Sequence, residues 1–513
     1  MSDSKSTKKL AIRGVLFNWI GRVASFLISF VLTPILVRGL GDESYGIWSV
    51  LMTLTTYYAL ADLGLRGAGV KFISQYAATK DWENVNKVFV TCLGIFLLLA
   101  ACLVPVVFLV GWGVPSHLRA EHLDLASIRL AILFTGASIV LAIPGQAFGA
   151  VLTAMKRFDL LNALAVTIQL AQSAILIFVV WQGGGIVEMA QVTLLVAFLA
   201  LVSRVVLARV ALPQARFSIQ FMDRQMAGRL IRFGGLNVVQ GIGRLVSKSA
   251  GTILVGFIIG PVQVAYFAIA ESLTKNSSEL SRSICSVLMP VASQLEAQDR
   301  REDLERMLLV GTNVLAALGA GLAIIFWVLG DALLALWIGP SYVDSTYPIL
   351  CVLAISLVIT TASNGLRSIL KGTNRMRLLA GLGICEALLT LVLGVFLLEL
   401  FGVAGMPYAI LATQLMISGI VLPYATSKAI DLPINKYLNR GVFPGFLAAV
   451  PMLLFLMGSK TFLPPTNLIL LAIHGGIALA ILGFGVLFVC FKADTRSAIL
   501  SSIPIPFLGT NRH

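Results

Sequence analysis

Charged residues are scarce in this chain. Asp, Glu, Lys and Arg make up 12% of its 513 residues, against about 25% in a soluble protein. A water-facing surface therefore cannot cover more than a small part of it. Cysteine is rare as well: Cys92, Cys102, Cys285, Cys351, Cys385 and Cys490 all fall in apolar segments without metal-ligand spacing, which leaves packed free thiols. There are four histidines, and only His117 and His122 are near neighbours, in a short loop with Glu121 and Asp124. No metal is expected. No Ser/His/Asp, HExxH, Walker or GxSxG pattern occurs, so nothing argues for an enzyme. The formal net charge is +14, yet no Lys/Arg block is interleaved with aromatics, and a nucleic-acid partner is excluded on that ground.

What the chain has instead is apolar length. It is 58% hydrophobic with a mean hydropathy of +0.93, the composition of an all-α, polytopic membrane protein. The amino terminus is basic (Lys5, Lys8, Lys9), and the apolar run after it contains Arg22 and lacks a small-residue cleavage site, so it reads as an uncleaved first span. The first six expected spans are 13–36, 44–65, 87–110, 126–149, 160–181 and 186–209. After a polar stretch come 232–259, 262–290, 307–329, 347–370, 378–400 and 403–425, then 441–458 and 467–491, fourteen in all. Lys and Arg orient them: 29 lie on the side of the amino terminus, four on the other side, and five inside spans. This asymmetry places both termini in the cytoplasm. Trp48, Trp112, Trp181, Trp327 and Trp337 fall near outer ends, as an aromatic belt would.

The chain also repeats itself weakly. Gly21-Arg22 returns as Gly243-Arg244, Ser74-Gln75 as Ser293-Gln294, and Leu212-Pro213 as Leu432-Pro433, at offsets of 222, 219 and 220. An even number of spans per repeat makes the halves parallel. The expected organisation is a six-helix bundle over 1–209, a cytoplasmic linker over 210–231, a second six-helix bundle over 232–430, and two further helices with a tail over 431–513.

Ionisable residues inside spans are the candidate site, because a cation at the bilayer centre costs about 3 kcal/mol or more. Arg244 and Lys248 share one helix face in the seventh span, and Arg22 is the repeat equivalent of Arg244. The eighth span adds Glu271, Lys275, Glu279 and Arg282 at helical spacing. Five cations against two acids leave about +3, which suits an anionic cargo. Asp62 and Arg66, four apart, read as an ion pair at the end of the second span. Asn18, Asn237, Gln240 and Tyr57 are candidates for sugar hydroxyls, while Gln146, Gln169 and Asn364 are among the polar residues that interrupt apolar spans and can bridge helices.

Pro34-Ile-Leu-Val-Arg-Gly-Leu-Gly-Asp-Glu-Ser-Tyr-Gly-Ile-Trp48, Leu60-Ala-Asp-Leu-Gly-Leu65 and Gln75-Tyr-Ala resemble the first two helices of the multidrug/oligosaccharidyl-lipid/polysaccharide exporter superfamily, in its polysaccharide transporter branch of Wzx-type flippases. The resemblance implies a V-shaped, MATE-like pair of bundles in the bacterial inner membrane. It implies a cargo, a polyprenyl-pyrophosphate-linked oligosaccharide carried from the cytoplasmic to the periplasmic leaflet, with Arg22, Arg244, Lys248, Lys275 and Arg282 as its cationic contacts. No cofactor is expected beyond a coupling ion, H+ or Na+, for which Glu271 and Glu279 are the candidate acids. The partners implied are the lipid-linked cargo, membrane lipids, a polysaccharide polymerase and a chain-length regulator. Two alternatives stay open: a cation-coupled drug exporter of the same fold, which would want an acidic interior, and a non-transporting scaffold for glycan assembly.

Overall fold

The computed structural model describes residues 25, 27–58, 64–118, 120–214, 218–491 and 496. Among them the chain is helical throughout, with short turns. The helices are α1 (Leu27–Leu40), α2 (Asp42–Tyr58), α3 (Leu65–Ala78), α4 (Trp82–Gly113), α5 (Leu125–Ala142), α6 (Gly145–Ala154), α7 (Phe158–Trp181), α8 (Ile186–Ala211) and α9 (Arg224–Ile258). They continue as α10 (Pro261–Ala297), α11 (Arg301–Trp337), α12 (Val343–Gly372), α13 (Met376–Phe401), α14 (Gly405–Gln414), α15 (Leu422–Ala429), α16 (Ile434–Tyr437), α17 (Phe443–Phe462) and α18 (Leu468–Val489). Wide π turns at Leu415–Val421 and Leu438–Val442 join α14 to α15 and α16 to α17.

Helix starts follow from short polar side chains. The carboxylate of Asp81 accepts the Asn84 N–H at 3.1 Å ahead of α4, and Asp124 accepts that of Ser127 at 3.0 Å ahead of α5. Asp223 does the same for Gln225 at 2.8 Å, so α9 begins about two turns before the span expected at 232. Pro144 lacks an N–H and divides α5 from α6. A separate helix, α3, occupies part of the stretch between the second and third expected spans, and it starts after Gly64 in a left-handed conformation at φ 64°.

Backbone turns recur along the chain. Lys80 and Asp299, both at positive φ, close α3 and α10 with the same pair of hydrogen bonds: Lys80 N–H to Ala77 O and Asp81 N–H to Tyr76 O, then Asp299 N–H to Glu296 O and Arg300 N–H to Leu295 O. Lys156 and Asn374 close α6 and α12 alike. Gly41 and Gly260, and Gly183 and Gly402, also pair in positive φ. Helix starts at Asp42, Trp82, Phe158 and Ile186 are matched at Pro261, Arg301, Met376 and Gly405, each 218 or 219 residues later.

Contacts divide the chain into two compact units, Met1–Ile269 with Gly383–Met406, and Ala270–Leu382 with Pro407–His513. The core of the first contains Leu65, Phe89, Phe96, Phe148, Leu152 and Leu230, from α3, α4, α6 and α9. In the second, Ala317, Ala448, Met452 and Leu482 join α11, α17 and α18. Close helix approach depends on small residues: a Cβ on Gly445 of α17 would sit 2.5 Å from the Asn313 carbonyl oxygen of α11.

Nine of the helical runs among the described residues are long and apolar enough to cross a bilayer. One of these, Met376–Ala429, holds 54 residues and is interrupted by Gly402 at φ 59°. Leu98, Leu109, Phe178, Leu454 and Ile469 are exposed, which in a membrane is the lipid-facing surface. Trp112, Trp181 and Trp327 are exposed too, whereas Trp48 and Trp337 are 5% and 4% accessible. The latter two are core residues rather than belt residues, because their helix faces turn toward neighbouring helices.

Candidate functional site

The expected cationic residues fall on two consecutive helices. Arg244 and Lys248 are carried by α9, which is unbroken for 35 residues, about 52 Å at the α-helical rise. Arg244 stands 14 residues, about 21 Å, before the end of that helix. One turn separates the two residues. Asn237 and Gln240 share the helix. The side chains of Asn237, Gln240, Arg244 and Lys248, and that of Tyr57 on α2, lie outside the described set, and Arg22, Asn18 and Asp62 lie outside the described residues altogether.

The residues on α10 are placed completely. Lys275 Nζ is 2.8 Å from Glu271 Oε2, with side-chain exposures of 33% and 12%. Arg282 is bonded to Glu279 one turn along. Both ion pairs run within one helix at spacings of four and three, so each lysine or arginine carries its own neutralising acid. Of the expected net charge of about +3, what remains after these pairs belongs to Arg22, Arg244 and Lys248.

The interrupting polar residues join helices. Arg66 Nη1 on α3 donates to Gln146 Oε1 on α6 at 3.4 Å. Ser25 Oγ donates to Gln169 Oε1 on α7, and Asn364 Nδ2 on α12 donates to Ser281 Oγ on α10 at 2.9 Å. Each satisfies an amide that would otherwise be stranded in an apolar layer.

A charged cluster escaped the sequence reading. Arg204 is on α8 and lies across α6 beside Arg66. The available signal was Gly145-x-x-x-Gly149 in one apolar span and an arginine inside another. No group of three or more His, Cys, Asp or Glu able to hold a metal is found among the described residues. The His117 ring meets the Gly113 carbonyl at 2.8 Å.

These helices can be set beside known proteins. A family model described as a polysaccharide biosynthesis protein matches residues 11–296, more than half of the chain. A Shigella flexneri protein assigned by name as an O-antigen transporter is 22% identical over 401 residues, 77% of this chain and 92% of its own length. The succinoglycan biosynthesis transport protein ExoT of Rhizobium meliloti is 22% identical over 368 residues, 72% of this chain and 70% of its own. Among solved structures, the lipid II flippase MurJ in an inward closed conformation covers 95% of this chain and 98% of its own with a TM-score of 0.72 at 13% identity. An inward-facing multidrug MATE transporter covers 80% and 98% with a TM-score of 0.67 at 15% identity. At such identities the structural likeness establishes a shared fold. With the family match, the all-α membrane architecture and the charges within it, this chain belongs to the polysaccharide biosynthesis protein family, as a polytopic transporter of the multidrug/oligosaccharidyl-lipid/polysaccharide superfamily.

Proposed function

We propose that this transporter flips a polyprenyl-pyrophosphate-linked oligosaccharide from the cytoplasmic to the periplasmic leaflet by alternating access, for cell-surface polysaccharide synthesis. The observation that carries this reading is that Arg244 and Lys248 stand one turn apart on one unbroken helix, α9, in a member of a polysaccharide family. Arg22, Arg244 and Lys248 hold the pyrophosphate, whose oxygens suit paired guanidinium donors. Asn18, Asn237, Gln240 and Tyr57 contact sugar hydroxyls. Lys275 and Arg282 join when their glutamates release them, and Glu271 or Glu279 is the place where a coupling ion, H+ or Na+, enters the cycle. The chain comprises fourteen spans, in repeats over 1–209 and 232–430 joined by 210–231, with two more helices over 431–513 and both termini cytoplasmic. The paired turns at Lys80 and Asp299, and at Lys156 and Asn374, support the duplication.

In cells lacking the native transporter, Arg244→Ala should abolish glycan export at normal protein abundance, and Arg244→Lys should retain part of it. Full complementation by the Arg22→Ala/Arg244→Ala double variant would falsify this site. A drug exporter would instead respond to acid substitutions with the arginines intact. A scaffold would leave flipping in proteoliposomes at background level even for the wild type.

A further inference from the structure

Two arginines that the transport reading does not use meet on the first unit. A Cβ built on Gly145 of α6 would lie 3.1 Å from Arg204 Nη1, and one built on Gly149 would lie 3.8 Å from Arg66 Nε. The missing side chain at Gly145 leaves room for the Arg204 guanidinium, while Arg66 lies at ordinary contact distance from Gly149. Arg66 is engaged: it donates to Gln146 and has a further partner. Arg204 differs. Among the described residues it has no hydrogen-bond or ion-pair partner, and the charge acting on it is that of Arg66, of like sign. It is half-buried, seven residues, or about 10 Å, before the end of α8. An uncompensated guanidinium at that depth is costly and calls for an anion.

The seam between α5 and α8 indicates what carries that anion. Leu141 of α5 and Gln191, Leu194, Leu195 and Phe198 of α8 line an apolar groove of about 430 Å³. Leu195 and Phe198, half exposed, open it to the surrounding lipid. One turn further along the seam, Leu201 Cδ1 is 3.5 Å from the same Gly145 position that Arg204 covers. Apolar surface at Leu201 thus continues from the groove toward the guanidinium.

We propose that this seam binds an anionic glycerophospholipid of the cytoplasmic leaflet, with an acyl chain in the groove and its phosphodiester on Arg204. The leaflet follows from the Lys and Arg asymmetry, which puts the adjoining turns at 154–158 and after 211 on the cytoplasmic side. One uncompensated cation balances the single negative charge of a phosphodiester, whereas a pyrophosphate would bring more charge to a place where Arg66 is already engaged. The proposal stands whether or not the cargo is a lipid-linked glycan.

The test is native mass spectrometry of the purified full chain in mixed micelles containing phosphatidylglycerol, phosphatidylcholine or polyprenyl pyrophosphate. Wild type should retain phosphatidylglycerol in preference to phosphatidylcholine. Arg204→Gln should lower that retention about tenfold, the scale of one charge-assisted hydrogen bond, and Arg204→Lys should restore part of it. Arg209→Gln, exposed on the same helix, should change nothing. Leu195→Trp, which fills the groove with Arg204 intact, should also lower retention, and it keeps the test decisive if Arg204→Gln does not fold. Equal retention of the two phospholipids by wild type, or unchanged phosphatidylglycerol retention in both the Gln and the Trp variants, would overturn the proposal. So would polyprenyl pyrophosphate displacing phosphatidylglycerol from wild type but not from Arg204→Gln, which would assign Arg204 to the cargo.

Discussion

Glu43, at the start of α2, is a buried carboxylate, and its oxygens accept the N–H of Glu121 at 2.7 Å and that of His122 at 3.1 Å. Glu43→Gln removes the charge from these bonds and turns a donor toward donors. The expected cost is about 1–3 kcal/mol, read as a lower midpoint of thermal unfolding in detergent with the helical content unchanged at low temperature. The loop caps carry a pH dependence of known sign. Bonds from Asn84 and Ser127 hold the Asp81 and Asp124 carboxyls below their ordinary 3.8. Their contribution is therefore complete at neutral pH and is lost as pH falls through the depressed folded-state values. At the Glu271–Lys275 pair the prediction concerns coupling: in vesicles, Glu271→Gln should weaken the dependence of flipping on the proton gradient while sparing downhill flipping. An unchanged dependence moves the role to Glu279 or removes it. The Glu271–Lys275 pair was legible as a spacing of four on one helix. Glu43 was not, since its partners lie 78 and 79 residues away.

Helices meet most closely where side chains are missing. A Cβ on Gly46 of α2 would stand 1.8 Å from the Pro261 carbonyl oxygen at the start of α10, and nearby the Tyr266 hydroxyl donates to Asp42 at 3.1 Å. Backbone cannot yield there as a side-chain tip can, so Gly46→Val should sharply reduce the yield of monodisperse protein. Gly475→Val, with nothing within 4 Å of the added Cβ, should be tolerated. Equal yields would mean that α2 and α10 separate without cost. Helix placement itself was readable from apolar length and periodicity. The break at Pro144 follows from proline's missing N–H, whereas the early start of α9 at Asp223 needed the local hydrogen bond.

Across the whole molecule, the membrane potential tests whether the cations travel with the cargo. A doubly ionised pyrophosphate leaving a negative-inside cell moves down the field, and two charges through 100 mV are worth about 4.6 kcal/mol. If Arg22, Arg244 and Lys248 stay fixed relative to the field, a cytoplasmic-side-negative potassium diffusion potential should speed outward flipping with no pH or sodium gradient. That is the expected outcome, because rocking repeats pivot about a nearly stationary midplane site. If the cations move with the anion, the moving unit is nearly neutral and the rate should ignore the potential.

Membrane class and the approximate positions of the helices were determined by the sequence alone. Each rests on transfer free energies that accumulate residue by residue along a local stretch. The structure adds turns with left-handed residues at Lys80 and Asp299 and at Lys156 and Asn374, 219 and 218 residues apart, which the sequence reading had not singled out. Tertiary structure alone decided that Trp48 and Trp337 are core, and that Arg204 lies beside Arg66 against a glycine ridge. Apolar length says that a helix crosses the bilayer but not which face meets which neighbour. Lipid and protein interior are equally apolar, so hydrophobicity cannot tell them apart, and the choice falls to close packing and polar satisfaction between segments far apart in the chain.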